Sequence, residues 1–254
     1  MQFFHEMFHC SLCRLGPGTE ASTLRALNTV LRARDPDQPP HPQRELRILD
    51  LGCGTGAQTL VLARHVDGEI LAIDNHQPFL DAMCRRAEAA GVGGRIVASL
   101  QDMRTFEPGD GAFDVIWSEG ALFCMGFREG LTRCRPWLAE GGFLAVTELC
   151  WLRPDAPAEC RKFLEGAYPV ISGIDSNLEA MRSCGYTLLE HFILPESAWT
   201  VEFYDPLESR LRLLRDRHAG DAQRQEMIEK IQMEIDIYRR YGAWYGYVFY
   251  VLRR

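Results

Sequence analysis

The stretch Arg-Ile-Leu-Asp-Leu-Gly-Cys-Gly-Thr-Gly at residues 47–56 decides the fold of this 254-residue chain. A mostly apolar run of strand length comes first, and its glycines permit the positive φ angles of a tight turn. Leu60, Val61 and Leu62 then open a helical pattern. The segment predicts a strand, a glycine-rich turn and a helix whose free N–H groups and positive dipole face a ligand.

Beyond this turn, short apolar runs alternate with helical stretches, as in a parallel sheet flanked by helices. The expected strands are 46–51, 69–73, 95–98, 113–118, 143–149, 186–194 and 245–252. Helices are expected near 57–66, 78–90 and 127–139, and a helical insert, 195–243, separates the last two strands. We predict an α/β, Rossmann-like doubly wound sheet of about seven strands, mostly parallel, with an antiparallel last strand.

The N-terminal region predicts a cover for this sheet. Phe3, Phe4, Met7 and Phe8 have helical spacing, and Gly16-Pro17-Gly18 could serve as a hinge. A second helix is expected over 22–34, and the prolines of 35–42 predict a loop. We therefore expect a single domain, 1–254, with an N-terminal lid and helix (1–45), a cofactor-binding core (46–150) and a substrate-side half (151–254).

Composition narrows the possible partners. The net charge is −7 and 46% of residues are hydrophobic, so we expect neither a broad basic face for nucleic acid nor long disorder. No apolar run approaches the roughly 18 residues of a membrane span, and no secretory signal is evident. Nine cysteines without such a signal suggest reduced thiols in a cytoplasmic protein. Apolar positions of the insert could support a homodimer.

Acidic residues follow the next two strands. Asp74, at the end of the second strand, is placed to accept both ribose hydroxyls of an adenosine. Asp102 follows the third strand and could accept from the adenine amino group, while Met103 could pack on the ring. These side chains indicate an adenosine-containing ligand.

The same glycines also fit a dinucleotide site, because Gly52, Gly54 and Ala57 have the spacing of that fingerprint. Asp50 distinguishes the two interpretations. A carboxylate beside the glycines would repel a pyrophosphate, whereas it would attract an α-amino group and a sulfonium. A nicotinamide-dependent oxidoreductase stays the alternative.

Residues 48–56 resemble motif I of class I S-adenosylmethionine-dependent methyltransferases. Asp74, Asp102, the strand at 113–116 and the glycine turn at 141–142 resemble later motifs of that family. More narrowly, residues 117–121 and 246–250, with the Gly-Pro-Gly segment, resemble a bacterial quinone-biosynthesis-type subgroup. The resemblance implies S-adenosylmethionine as cofactor, S-adenosylhomocysteine as product and a small-molecule methyl acceptor.

On this interpretation the cofactor-binding residues lie at the strand ends. They are Asp50, Gly52, Cys53, Gly54, Gly56, Asp74, Asn75, Gln101, Asp102, Met103 and Ser118. A non-catalytic S-adenosylmethionine-binding protein, or methylation of an RNA or protein side chain, would use the same core.

Glu119, at the tip of the fourth strand, is the candidate catalytic residue. It could act as general base or hold the acceptor, or it could cap the next helix or pair with an arginine such as Arg128. Glu148, at the end of the fifth strand, is a second candidate for lining the pocket.

The segment His5-Glu6-Met7-Phe8-His9 matches the zinc-protease pattern, and Cys10 and Cys13 add two potential ligands. Because it precedes the whole sheet and lacks a surrounding catalytic domain, we do not expect a metal site.

Overall fold

A computed structural model describes residues 2–34 and 45–254, so the expected loop 35–42 lies outside the described residues. The strands are β1 (Leu46–Leu51), β2 (Gly68–Asp74), β3 (Ile96–Leu100), β4 (Phe113–Ser118), β5 (Leu138–Trp151), β6 (Ser172–Gly173), β7 (Thr187–Ile193) and β8 (Tyr245–Arg253). The helices are α1 (Gln2–Met7), α2 (Glu20–Arg34), α3 (Ala57–His65), α4 (Gln77–Ala89), α5 (Phe127–Trp137), α6 (Ala158–Ala167), α7 (Ile174–Ser183), α8 (Glu196–Trp199), α9 (Asp205–Arg217) and α10 (Ala222–Tyr241).

The strands form one sheet in the order β3-β2-β1-β4-β5-β8-β7. Strands β1 to β5 pair in parallel, whereas β8 runs antiparallel to both of its neighbours. The predicted mostly parallel sheet with an antiparallel last strand is therefore confirmed; the two-residue β6 raises the strand number to eight. The chain order reverses between β1 and β4, so a crevice opens at the carboxyl ends of these two strands.

Burial on both faces explains why β1 reads as a continuous apolar run. Ile48 belongs to the buried apolar cluster that includes side chains of α2 and α3, and Leu49 belongs to the separate cluster that includes side chains of α5 and α7. Both are essentially inaccessible to solvent. Such two-sided burial is characteristic of parallel strands covered by helices.

Strand β5 is longer than the sequence pattern predicts, extending over Leu138–Trp151 rather than 143–149. Its carboxyl end is lengthened by pairing with β8, in which Trp151 lies opposite Tyr245. The insert before β8 is helical, as predicted. It forms α8, a π-helical turn (Thr200–Tyr204), α9 and α10.

The N-terminal helix packs on the insert. The Phe3 ring meets His218 of the turn after α9 edge-on at 5.3 Å, and Glu6 Oε2 lies 3.3 Å from His218 Nε2. Helix α1 and the insert thus form the two halves of a cover over the sheet edge. Within the described ranges, no helix has the length and apolar character needed to cross a membrane.

Candidate active site

The glycine turn follows β1 and is fixed by the neighbouring strand. The backbone N–H groups of Gly52 and Cys53 both donate to Ile73 O, at 2.9 and 3.0 Å. Gly52 has a φ of +71°, and a Cβ at this position would lie 2.4 Å from Ala121 Cβ. Only glycine therefore lets the turn approach the loop after β4 this closely.

Asp50, two residues before Gly52, links the end of β1 to the start of α3. Its side chain is fully buried, and its oxygens accept hydrogen bonds from Gln58 Nε2 at 3.2 Å and Thr59 Oγ1 at 2.6 Å. Burial raises the pKa of Asp50 to about 7, although the two hydrogen bonds oppose the rise. The carboxylate of Asp50 therefore faces the first turn of α3, and its predicted contact with the cofactor stays a prediction.

Asp74 occupies the position predicted from its strand. Its Oδ2 accepts from Gly54 N at 3.0 Å, and its Oδ1 accepts from His76 N at 2.9 Å. Burial raises the pKa of Asp74, and these backbone donors oppose the rise. The backbone N–H of Asn75 is a third, weaker donor, so the carboxylate is held rigidly and one of its four lone pairs stays open.

A cavity of about 470 Å³ lies at the carboxyl ends of β1, β2 and β4. Eight of the predicted cofactor-binding residues line it: Gly52, Cys53, Gly54, Asp74, Asn75, Gln101, Asp102 and Met103. Three do not, namely Asp50, Gly56 and Ser118. Gly56 instead packs under Met83 of α4, and the buried Ser118 hydroxyl donates to Leu51 O at 3.0 Å.

Asp102 lies at the cavity rim with a partner of its own. Arg104 Nη2 donates to its Oδ2 at 2.6 Å, and the Arg104 backbone N–H caps Oδ1. These contacts lower the pKa of Asp102 to about 2. Asp102 is therefore a fixed, ionised acceptor, and Met103 beside it also packs close to Gly52.

The segment after α1 closes one side of the cavity, which the sequence indicated only as a hinge. Thr55 Oγ1 donates to the carbonyls of Leu12 and Cys13 at 3.1 and 2.9 Å. Arg86 of α4 donates to Leu12 O at 3.0 Å and also to Thr55 O. The glycine turn and the N-terminal segment are thus tied into one wall.

Glu119 lines the cavity, but its carboxylate already accepts three hydrogen bonds from other side chains. Oε1 accepts from Thr23 Oγ1 at 2.7 Å and Trp117 Nε1 at 2.9 Å, and Oε2 lies 3.3 Å from Arg14 Nη1. The ion pair is buried, with 7% and 4% of the two side chains exposed. Glu119 therefore pairs with an arginine, but with Arg14 rather than Arg128. A Cβ on Gly18 would clash with this pair.

A second cavity, of about 340 Å³, adjoins the first. The two cavities share six lining residues: Phe4, Leu15, Gly16, Pro17, Phe79 and Gly120. The remaining walls of the second cavity come mainly from α6, the insert and β8, and most of their side chains are aromatic. Tyr168 and Tyr204 are among the residues that line it. The sequence analysis did not identify the contributions of Trp199, Tyr245 and Tyr247.

Glu148 lies behind this second cavity rather than in its wall. The hydroxyl of Tyr168 donates to Glu148 Oε1 at 2.6 Å, while the buried Oε2 has no hydrogen-bond partner in the structure. Burial raises the pKa of Glu148 to about 7. Glu148 is thus a carboxylate with a pKa near 7 that is connected to the second cavity through the hydroxyl of Tyr168.

The side chains of the zinc-protease pattern have other contacts. His5 stacks on His76 at 3.6 Å, Glu6 contacts His218, and His9 bonds to Ser11 at 2.9 Å. No group of three metal-ligating side chains occurs among the residues that the structure describes. His5 instead contributes to the wall of the first cavity.

Comparison with known proteins agrees with this geometry. Residues 48–142 match the family described as "Methyltransferase domain". The chain is 30% identical over 192 residues to 27-O-demethylrifamycin SV methyltransferase of Amycolatopsis mediterranei, covering 73% of this chain and 67% of that protein. It is 24% identical over 184 residues to a sterol 24-C-methyltransferase of Neurospora crassa, covering 68% of this chain and 48% of that protein.

The fold is similar to that of a methyltransferase from Geobacter sulfurreducens, solved in complex with S-adenosyl-L-homocysteine. The TM-score is 0.82 at 20% identity, and the match covers 100% of this chain and 98% of that one. The fold and the crevice are those of an α/β protein that binds a nucleotide-like ligand at the carboxyl ends of its parallel strands. The chain belongs to the class I S-adenosylmethionine-dependent methyltransferases. The match spans only half to two thirds of these two curated relatives.

Proposed function

We propose that this protein transfers the methyl group of S-adenosylmethionine to a small, largely apolar acceptor. The observation that carries the proposal is the junction of the two cavities: one has a glycine turn and fixed carboxylates, the other is aromatic, and they share six lining residues. A donor in the first and an acceptor in the second would meet at this junction. The two curated relatives are named for a sterol and a rifamycin, both small molecules.

The residues of the first cavity fit the donor. Asp74 presents a rigidly held carboxylate with an open acceptor site for a ribose hydroxyl, and Asp102 with Met103 provides an acceptor and an apolar surface for adenine. The two arginines that line this cavity, Arg14 and Arg104, are already paired with carboxylates. A pyrophosphate would have to bind through backbone N–H groups alone, in a cavity that is also lined by Asp74 and Asp102, which disfavours the nicotinamide alternative.

When bound, S-adenosylmethionine supplies an electrophilic methyl group on a sulfonium. The protein positions the acceptor, and the N-terminal segment excludes water from the junction. For an acceptor that must lose a proton, Tyr168 and Glu148 offer a path: the acceptor proton passes to Tyr168 Oη as the tyrosine proton passes to Glu148 Oε1.

Glu119 is assigned a positioning role in this proposal. Its carboxylate already accepts hydrogen bonds from Thr23, Trp117 and Arg14, so its contacts are with the protein. It joins the tip of β4 to Arg14 and to Thr23 of α2, and so holds the N-terminal segment across the cavities.

Calorimetry tests the donor site. We expect S-adenosylmethionine and S-adenosylhomocysteine to bind and NAD not to bind; binding of NAD alone would refute the proposal. Turnover is then measured as S-adenosylhomocysteine formation across a panel of apolar acceptors. Donor binding without turnover of any acceptor would favour the non-catalytic alternative.

A further inference from the structure

The second cavity has one charged group in an otherwise aromatic and aliphatic wall. Eleven of its nineteen lining residues are aromatic, and the charged one is Glu234 of α10. The Tyr204 hydroxyl donates to Glu234 Oε1 at 3.0 Å. A carboxylate is costly to place in apolar surroundings unless a cation or several donors satisfy it.

A second polar group lies in the same wall without a partner. Tyr245 is 2% exposed and lines the cavity, and its hydroxyl has no hydrogen-bond partner in the structure. Burial and the nearby Glu234 carboxylate both raise the pKa of Tyr245, so this hydroxyl stays neutral. The lining of the cavity thus includes a carboxylate and an unpartnered hydroxyl that are close enough to interact electrostatically.

The position of these groups separates them from the methyl-transfer junction. Tyr247 approaches Gly120 at the junction, and Tyr245 lies two residues earlier on β8, toward the carboxyl end of β5. Trp199 is stacked between Tyr238 and Tyr247, at 4.4 and 5.2 Å, which makes this wall rigid. An elongated acceptor can therefore be held at both ends.

We propose that Glu234 and Tyr245 recognise an ammonium group on an apolar acceptor, at the end of the cavity remote from the transferred methyl. An ammonium has three donors, which suit the Glu234 oxygens and the Tyr245 hydroxyl oxygen, and its charge compensates the buried carboxylate. No arginine, lysine or histidine lines the described walls of this cavity, so an ammonium group is favoured there over a carboxylate or a phosphate. This inference rests on the proposed function.

Calorimetry on the full chain tests the assignment with three indole probes, each titrated with and without S-adenosylhomocysteine. Tryptamine carries the ammonium, tryptophol is its neutral counterpart and indole-3-acetate is the anion. We expect tryptamine to bind at least tenfold more tightly than tryptophol, and indole-3-acetate to bind most weakly. Similar affinities for the three probes, or no binding of tryptamine, would overturn the inference.

Substitutions then test which side chains recognise the ammonium group. Glu234→Gln should remove the preference for tryptamine over tryptophol, whereas Glu226→Gln, an exposed carboxylate on the same helix, should leave it unchanged. Tyr245→Phe removes a hydroxyl that has no protein partner, so the fold should persist while tryptamine affinity falls several-fold. A preference retained in both Glu234→Gln and Tyr245→Phe would overturn the assignment. S-adenosylhomocysteine binding, measured separately, reports on the proposed function alone.

Discussion

Asp74 connects the glycine turn to the proposed ribose site, and its isosteric replacement by asparagine tests both roles. In the native protein its oxygens accept from the backbone N–H groups of Gly54 and His76, with Asn75 as a weaker third donor, and one lone pair stays open. Asparagine has a single acceptor oxygen, and its NH₂ group would face one of these two N–H donors. One loop contact and one ribose acceptor are then lost together.

The expected magnitude follows from these contacts. A hydrogen bond to a charged group contributes about 1.5–3 kcal/mol. Loss of one such bond to the donor corresponds to a decrease in affinity of about 10–150-fold. The lost loop contact adds a decrease in thermal stability, because a buried backbone N–H loses its acceptor.

The assay is titration calorimetry of Asp74→Asn with S-adenosylhomocysteine. Asp81→Asn is the matched control, because Asp81 is an exposed carboxylate of α4 whose described partner is Gln77. The control should bind like the wild type. An Asp74→Asn affinity within twofold of the wild-type value, in a protein that melts normally, would refute the ribose assignment.

Three other substitutions test separate parts of the structure. Gly52→Ala would place its Cβ 2.4 Å from Ala121 Cβ at a φ of +71°, so we expect a destabilisation of about 1–3 kcal/mol in urea denaturation; an unchanged midpoint would contradict this. Glu119→Gln weakens the contact with Arg14, so proteolysis of residues 10–18 should increase while the pH profile of kcat stays unchanged. If the variant instead lost the acidic limb of that profile with no change in proteolysis, Glu119 would be the general base. Glu148 has a folded-state pKa of about 7, above its ordinary value, so the folded protein keeps a proton that the unfolded chain releases. Its contribution to stability is present at acidic pH and is lost as pH rises through about 7, and Glu148→Gln should flatten this dependence by up to about 3 kcal/mol. Denaturation of both proteins at pH 5 and pH 8 measures the difference, and parallel curves would exclude the effect.

The amino-acid sequence by itself determined the order of strands and helices and the site of the turn at residues 52–56. These features depend on local properties: hydrophobic periodicity, the φ freedom of glycine and the tendency of strand ends to share one edge of the sheet. For the same reason Asp74 and Asp102 could be assigned to the first cavity from their positions alone. The contacts of Asp50 with Gln58 and Thr59 could not be predicted, because a strand-tip position does not reveal which way the side chain points.

Only the tertiary structure decided what Glu119 contacts and where the second cavity lies. Arg14 and Thr23 are 105 and 96 residues from Glu119 along the chain, and no local pattern brings them together. The second cavity gathers residues from α1, α6, the insert and β8, whose aromatic side chains resemble ordinary core residues in the sequence. The cavity arises because these elements pack around a space that they do not fill, and this depends on their relative placement rather than on any one segment.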